Sequence, residues 1–399
     1  MHELFATIEN EVLNQIRILL YKKNKDIFEI LDFENELIYK EPLLFAFFNS
    51  RGDSIQNIES LIYGYASKDL TYTVFSDEYG RIYLPNIGWL HTKLKDENFL
   101  YDKQHLKLLK NDQIIDYKFE KLQLIENTKI ELIKYSVPLL KKYYFNTDLK
   151  LVDVEIESIS KKHLNHLTKA YNLLKKYVPQ QFELIEKYAP KCVIFDVDTY
   201  QRNSFATFFA HGIGFYNAYQ QGYDEVFFID DIAHQTGHVI LNSITFDADK
   251  FFKIDKEHVL KTLEGPFVEK RSIYTVYHAL YTYYTSFICL DSCIENDAFD
   301  AKQRHEAIGR IVFYINKCYS DLLLIEDDIN SEIVSNDYFT EQGFLIYKTI
   351  KDKWKEMYKK WYEEVKILKL DNQPYNFTYE KFIELNPLLL ESSKLNRQF

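Results

Sequence analysis

The stretch EVFFIDDIAHQTGHVILNSI, residues 225–244, decides how the rest of the chain is read. Its first five residues, EVFFI, form a short strand-like run, and a helix follows over 231–244. Asp230 and Asp231 stand where an N-cap and a first-turn carboxylate belong. Within the helix, His234 and His238 lie four residues apart and so share a face, about 6 Å from each other. Two imidazoles so placed can each point a nitrogen at one metal ion. With 11 His in 399 residues, roughly 0.3 such pairs arise by chance, so the flanks have to carry weight too. Ile232, Ala233, Val239, Ile240 and Leu241 surround the pair with apolar residues. A core imidazole needs a partner or a metal for its nitrogens. Both readings stay open on the residues alone: a metal site, or two paired core histidines.

A tight site needs a third ligand. Downstream stand Asp247, Asp249, His258, Glu264, Glu269 and His278. His278 is favoured because it falls in 272–294, a nearly uncharged helical stretch that reads as buried. Tyr274, Tyr277, Tyr281, Tyr283 and Tyr284 share that stretch and are expected to wall the site as packing residues with hydroxyls reaching partners.

Outward from this centre the chain reads as mainly α with a smaller β component, an α+β protein. Helical stretches are expected at 159–190, 301–325 and 338–368. In the last, Trp354, Met357 and Trp361 recur at helical spacing as packing residues. CVIFDV (192–197) reads as a strand. His211, in FFAHGIGFY, reads as a loop or core histidine, and His163 and His166 as solvent-facing on a charged helix. Residues 1–150 form a mixed α/β region, with helical spacing at 3–22 and 53–66. A hairpin is expected over 72–90, where two aromatic and β-branched runs flank Asp77-Glu78-Tyr79-Gly80. Residues 151–399 form a mostly helical domain carrying the histidines, frayed after about 390.

Composition sets the outer bounds. Hydrophobic residues make up 46% and charged residues 27%, which excludes wholesale disorder. Gly (11) and Pro (8) are scarce, which favours long helices over a many-stranded sandwich. A net charge of −11 gives no cationic surface for nucleic acid. The start, MHELFATIENEVLNQ, has no basic n-region or apolar h-region, so no signal peptide is expected. The uncharged stretches 203–223 and 272–290 are broken by Gly, Asn, Gln, His, Thr and Ser, so no membrane span is expected. Cys192, Cys289, Cys293 and Cys318 form no CxxC and read as buried free thiols of a cytoplasmic protein.

The string around His234, with Arg271-Ser272-Ile273-Tyr274-Thr275-Val276-Tyr277-His278 some forty residues later, resembles the HExxH-motif peptide-modification proteins. These belong to clusters that make ribosomally synthesised, post-translationally modified peptides. Their pattern is HExxH, then Arg-Pro, six residues between that Arg and a His, and a later Leu-Thr-x-x-Gly helix start. Phe339-Thr340-Glu341-Gln342-Gly343 resembles that late element. The resemblance covers roughly 190–350. It implies an α-ketoglutarate-dependent non-haem Fe(II) oxygenase that uses O2 to hydroxylate a precursor peptide, typically at a β-carbon. His234, His238 and His278 would be the iron ligands and Arg271 would meet the co-substrate carboxylate beside Tyr274, between the 231–244 and 272–294 helices. The mixed N-terminal region would engage the peptide by strand addition.

Gln235 stands where the family has Glu, Ser272 where it has Pro, and Ala279 where it has Gly. The first change matters most. In a zinc peptidase that Glu is the base that activates bound water, and an amide cannot take the proton. An oxygenase does not need it. Two other readings remain: a zinc metalloprotein of different chemistry with Glu264 or Glu269 as base, or a catalytically silent peptide-binding protein. A two-His-one-carboxylate iron site would draw on Glu264, Glu269 or Asp247.

Overall fold

The computed structural model describes residues 2–50, 57–260, 270–326 and 338–388, with side chains from residue 11 onward. Helix takes 51% of the chain and strand 15% in several small sheets, the mainly α, smaller β class. The chain divides into two compact units. The first comprises 1–168, 184–222 and 242–246; the second comprises 169–183, 223–241 and 247–399.

In the first unit, helix α1 (His2–Lys23) and several one- or two-turn helices precede the strands. A four-stranded antiparallel sheet has the order β1 (Thr71–Phe75), β4 (Asn98–Asp102), β5 (Lys107–Lys110), β6 (Gln113–Ile115). A three-stranded sheet joins β2 (Arg81–Leu84), β3 (Gly88–His91) and β7 (Lys118–Lys121). The third sheet runs β11 (Ile213–Asn217), β10 (Lys191–Phe195), β9 (Glu131–Leu132), β8 (Gln123–Leu124). Strand β10 pairs parallel with both neighbours and is buried at every residue, which is why CVIFDV reads as a continuous apolar run.

The expected hairpin is half right. The turn forms: Asp77 accepts from the backbone N–H groups of Tyr79 (2.9 Å) and Arg81 (2.8 Å), and Gly80 takes φ +79°. The strands on either side do not pair with each other. β1 pairs with β4, and β2 pairs with β3 in a different sheet. Turn chemistry fixes only the local reversal, while the partner is set by which apolar face finds the core.

A closed ionic cluster sits inside this unit. Lys191 Nζ donates to Glu131 Oε2 (2.6 Å) and to the Tyr83 hydroxyl (3.0 Å), and lies 3.3 Å from Glu41. The hydroxyls of Tyr83 and Tyr65 donate to Glu131 (2.7 Å) and Glu41 (2.5 Å). Burial pushes the Glu41 carboxyl up, against the attraction of Lys191.

Four helices build most of the second unit. They are α4 (Glu225–Ile244), whose last residues count with the first unit, α5 (Ile273–Glu295), α6 (Ala301–Glu326) and α7 (Glu341–Lys360). Two further helices, α2 (Glu157–Tyr177) and α3 (Pro179–Tyr188), contribute to both units. Ser272 caps α5 by accepting from the Thr275 N–H. Thr340 caps α7 in the same way, accepting from the Gly343 N–H. The expected helix over 338–368 is broken at Trp361, after which a short helix runs Tyr362–Ile367. The Trp361 indole N–H donates to buried Asp291 and Met357 is fully buried, so both pack into the core as expected. All four cysteines are free and buried. No helix among the described residues is long and apolar enough to cross a membrane.

His163 corrects a second expectation. It is buried in α2, not solvent-facing, because it lies on the packed face of an otherwise charged helix. Burial pushes its pKa down to about 4 from 6.5. Between those values the unfolded chain binds a proton that the folded chain refuses. Stability is therefore lost as the pH falls from 6.5 toward 4, by about 3 kcal/mol for this group. His163→Leu is expected to shallow that acid loss in urea unfolding followed from pH 7 to 4.5.

Candidate metal centre

Helix α4 begins at Glu225, so the EVFFI run is helical and not a strand. The Asp224 carboxylate accepts from the Val226 N–H at 3.0 Å and takes the capping role expected of Asp230. A short run buried on all sides has the same pattern in a strand and in a core helix, and here the length of the whole element decides.

Asp230 is instead an interior residue at the centre of a buried network. Its Oδ2 accepts from Arg310 Nη1 (2.8 Å) and the Tyr314 hydroxyl (3.0 Å), and its Oδ1 from Ser286 Oγ (2.9 Å). Arg310 also donates through Nε (3.0 Å) and Nη2 (2.7 Å) to Glu306. Burial opposes the Arg310 charge, but Glu306 and Asp230 together hold the guanidinium protonated. Glu306 is pushed up by burial, with Arg310 acting against the shift.

His234 follows Asp230 by one helical turn. Its ring lies 6.0 Å from the Tyr314 ring at 26° and 6.3 Å from Tyr283. The His238 ring is 5.2 Å from His234, and the His278 ring on α5 is 6.0 Å from His238 and nearly parallel to it. Tyr274 covers the far side of His278 at 4.3 Å. The structure thus lines up the three predicted imidazoles from two helices. Among the described residues, no three His, Cys, Asp or Glu side chains form a ready-made metal-binding group.

Two ring nitrogens in this row, His234 Nδ1 and His278 Nε2, are buried without a hydrogen-bond partner among the described residues. Burial drives all three imidazoles to the neutral form. The pKa values of His234 and His238 fall to about 3, with small additions from Lys317 and His234 respectively, and His278 falls well below its ordinary value. His234 and His238 nevertheless keep intermediate solvent exposure. Neutral imidazoles are in the protonation state that a metal ion takes.

Gly237, between the histidines, lets α5 come close: a Cβ there would lie 2.7 Å from Thr285 Oγ1. That hydroxyl donates to the Ala233 carbonyl at 2.9 Å. Gln235 is buried and its amide donates to Asp231 Oδ1 at 3.1 Å.

Arg271 is already engaged. Its two terminal nitrogens donate to Asp321 at 2.8 and 3.2 Å, and the Tyr283 hydroxyl reaches the same carboxylate at 3.3 Å. Lys317, which sequence reasoning missed, lies near enough to act electrostatically on Asp321, Arg271 and His234. Burial lowers its pKa to about 8. The Lys317 ammonium donates to the Tyr375 carbonyl at 2.7 Å and lies over the Tyr375 ring at 4.0 Å. The signal for Lys317 was the spacing of Tyr314, Lys317 and Asp321 along α6, three residues on one helical face.

Of the other ligand candidates, Glu264 and Glu269 lie outside the described residues. Asp247 pairs with Lys250, and the His258 ring packs 6.0 Å from Tyr338. The tyrosines of α5 are mostly interior: Tyr277, Tyr281 and Tyr283 are buried, and the Tyr277 hydroxyl donates to the Gly343 carbonyl. His211 belongs to the first unit, where its Nε2 meets Ser243 Oγ at 2.8 Å.

No protein-family model matches this chain, and the curated proteins give no match. The functional reading therefore rests on the site.

The network under His234 is expected to dominate local stability. Arg310→Met would leave two buried carboxylates without their cation and cost about 3–5 kcal/mol. Tyr314→Phe would remove one hydrogen bond to a buried carboxylate and cost roughly 1.5–3 kcal/mol. Urea unfolding at pH 7 measures both.

Proposed function

We propose that this chain is a cytoplasmic Fe(II)- and α-ketoglutarate-dependent oxygenase that hydroxylates a side chain of a ribosomally synthesised precursor peptide. His234, His238 and His278 would hold the metal. The observation that carries the reading is the row of three neutral imidazoles in which His234 Nδ1 and His278 Nε2 are buried without partners. Leaving such atoms unmet costs about 1–3 kcal/mol each, and a metal ion removes the cost. Bound there, iron would supply redox chemistry with dioxygen and the keto acid.

The surrounding residues favour oxidation over hydrolysis. Gln235 cannot accept a proton from water, and Asp231 holds its amide. Arg271, with the Lys317 charge acting on it and on His234, would meet a carboxylate of the co-substrate. Asp321 orients the Arg271 guanidinium there and prevents it from turning away. Tyr283 and Tyr281 keep the adjoining wall dry. The peptide would add as a strand to the β6 edge of the four-stranded sheet.

The test is metal content after anaerobic purification, read beside His238→Ala, followed by succinate release with Fe(II), α-ketoglutarate and oxygen. About one metal per chain, lost in the variant, with iron-dependent succinate is the expected result. Lys317→Met should raise the α-ketoglutarate needed for half-maximal release about tenfold, a loss of about 1.4 kcal/mol. Retained zinc without succinate would replace oxygenation by another metal chemistry. A wild-type chain that binds no metal would overturn the proposal and make the histidines structural.

A further inference from the structure

The first unit contains a recess that the proposed chemistry does not use. It is a shallow cavity of about 50 Å³ with its mouth open to solvent. Val12 and Leu13 of α1, Phe45 and Pro190 give it apolar walls, and Tyr39 and Tyr188 give it aromatic ones. Its lining includes two cations, Lys40 and Lys187, and no carboxylate. Glu36, one turn from Lys40 and outside the lining, pairs with it at 2.9 Å. Lys187 is exposed.

His211 is the informative residue. It lines the recess and is only 9% exposed, with Phe45 at 5.2 Å and Phe208 at 5.9 Å against its ring. Ser243, another lining residue, occupies Nε2 at 2.8 Å. Nδ1 is buried and has no partner among the described residues. A neutral imidazole has one donor and one acceptor, and here only one of its two nitrogens is met. Native interiors rarely tolerate such an atom without a guest or a water.

We propose that this recess is a binding site for a small monocarboxylate with an aliphatic or aromatic body, its carboxylate meeting His211 Nδ1 and the lysine charge and its body lying against Leu13, Phe45 and Tyr188. An apolar wall with a few convergent polar groups is the usual make-up of a small-molecule site. The cations select an anion over a neutral alcohol of equal length, and the open mouth admits it without unfolding any element.

Isothermal titration of the full chain with octanoate, and separately with octan-1-ol, tests this. Saturable octanoate binding at a single site is expected, about tenfold tighter than octanol. Leu13→Trp, which fills the recess, should abolish it. His211→Phe keeps the ring and removes the nitrogens and should weaken octanoate about tenfold. Lys187→Met changes an exposed side chain, so the fold stays intact, and it should weaken octanoate several-fold while leaving octanol unchanged. Equal affinity for acid and alcohol, octanoate binding untouched by Leu13→Trp, or no saturable binding would each overturn the proposal.

Discussion

The second unit depends on one buried charge, the Asp230 carboxylate. It sits one turn before His234 on α4 and accepts from Ser286 of α5 and from Arg310 and Tyr314 of α6. Three helices are thereby tied at one pair of oxygens in a dry core. Tyr314 serves twice, since its hydroxyl meets Asp230 while its ring lies along His234. The imidazole is positioned by the residues that neutralise the carboxylate beneath it. Such networks stabilise little against an apolar replacement but punish partial loss heavily, so they fix one arrangement among competing ones.

The first unit uses the same device with different chemistry. Lys191 is held between Glu131 and Glu41, with the Tyr83 hydroxyl on Lys191 and Glu131 and the Tyr65 hydroxyl on Glu41, joining β10, β9 and β2 to the helical segment that starts at Pro42. Lysine offers three donors from a single point, whereas Arg310 offers a planar fork that serves two carboxylates at once. In both cases tyrosine hydroxyls complete the shell, one use of a chain that carries 32 Tyr.

How much of this was legible follows from the range over which each signal acts. Helices α5 and α6 are visible in the sequence because long apolar periodicity admits no other element, and the starts of α5 and α7 are marked by Ser272 and Thr340. The His234–His238 spacing places both rings on one face, and the third imidazole was anticipated from its buried helix. EVFFI misled because five buried residues look alike in a strand and in a helix. Asp230 misled because an acidic residue near a helix start usually caps it; Arg310, eighty residues later, overrides that rule. Lys317 and His163 escaped notice for the same reason, since which face of a mixed helix is covered depends on residues far along the chain. The partner of β1 was equally non-local, although the turn after it was plain.

Gly237 has a consequence for ancestry. The missing side chain sets how near α4 and α5 can approach, and so the height of His278 beside His238. A relative that exchanged the intervening Gln235 would lose the bond to Asp231 and keep the gap between the helices. One that gained even a methyl group at 237 would have to give up the threonine opposite. The glycine–threonine pairing across the helix crossing, and not the histidines alone, therefore sets the spacing on which this site depends.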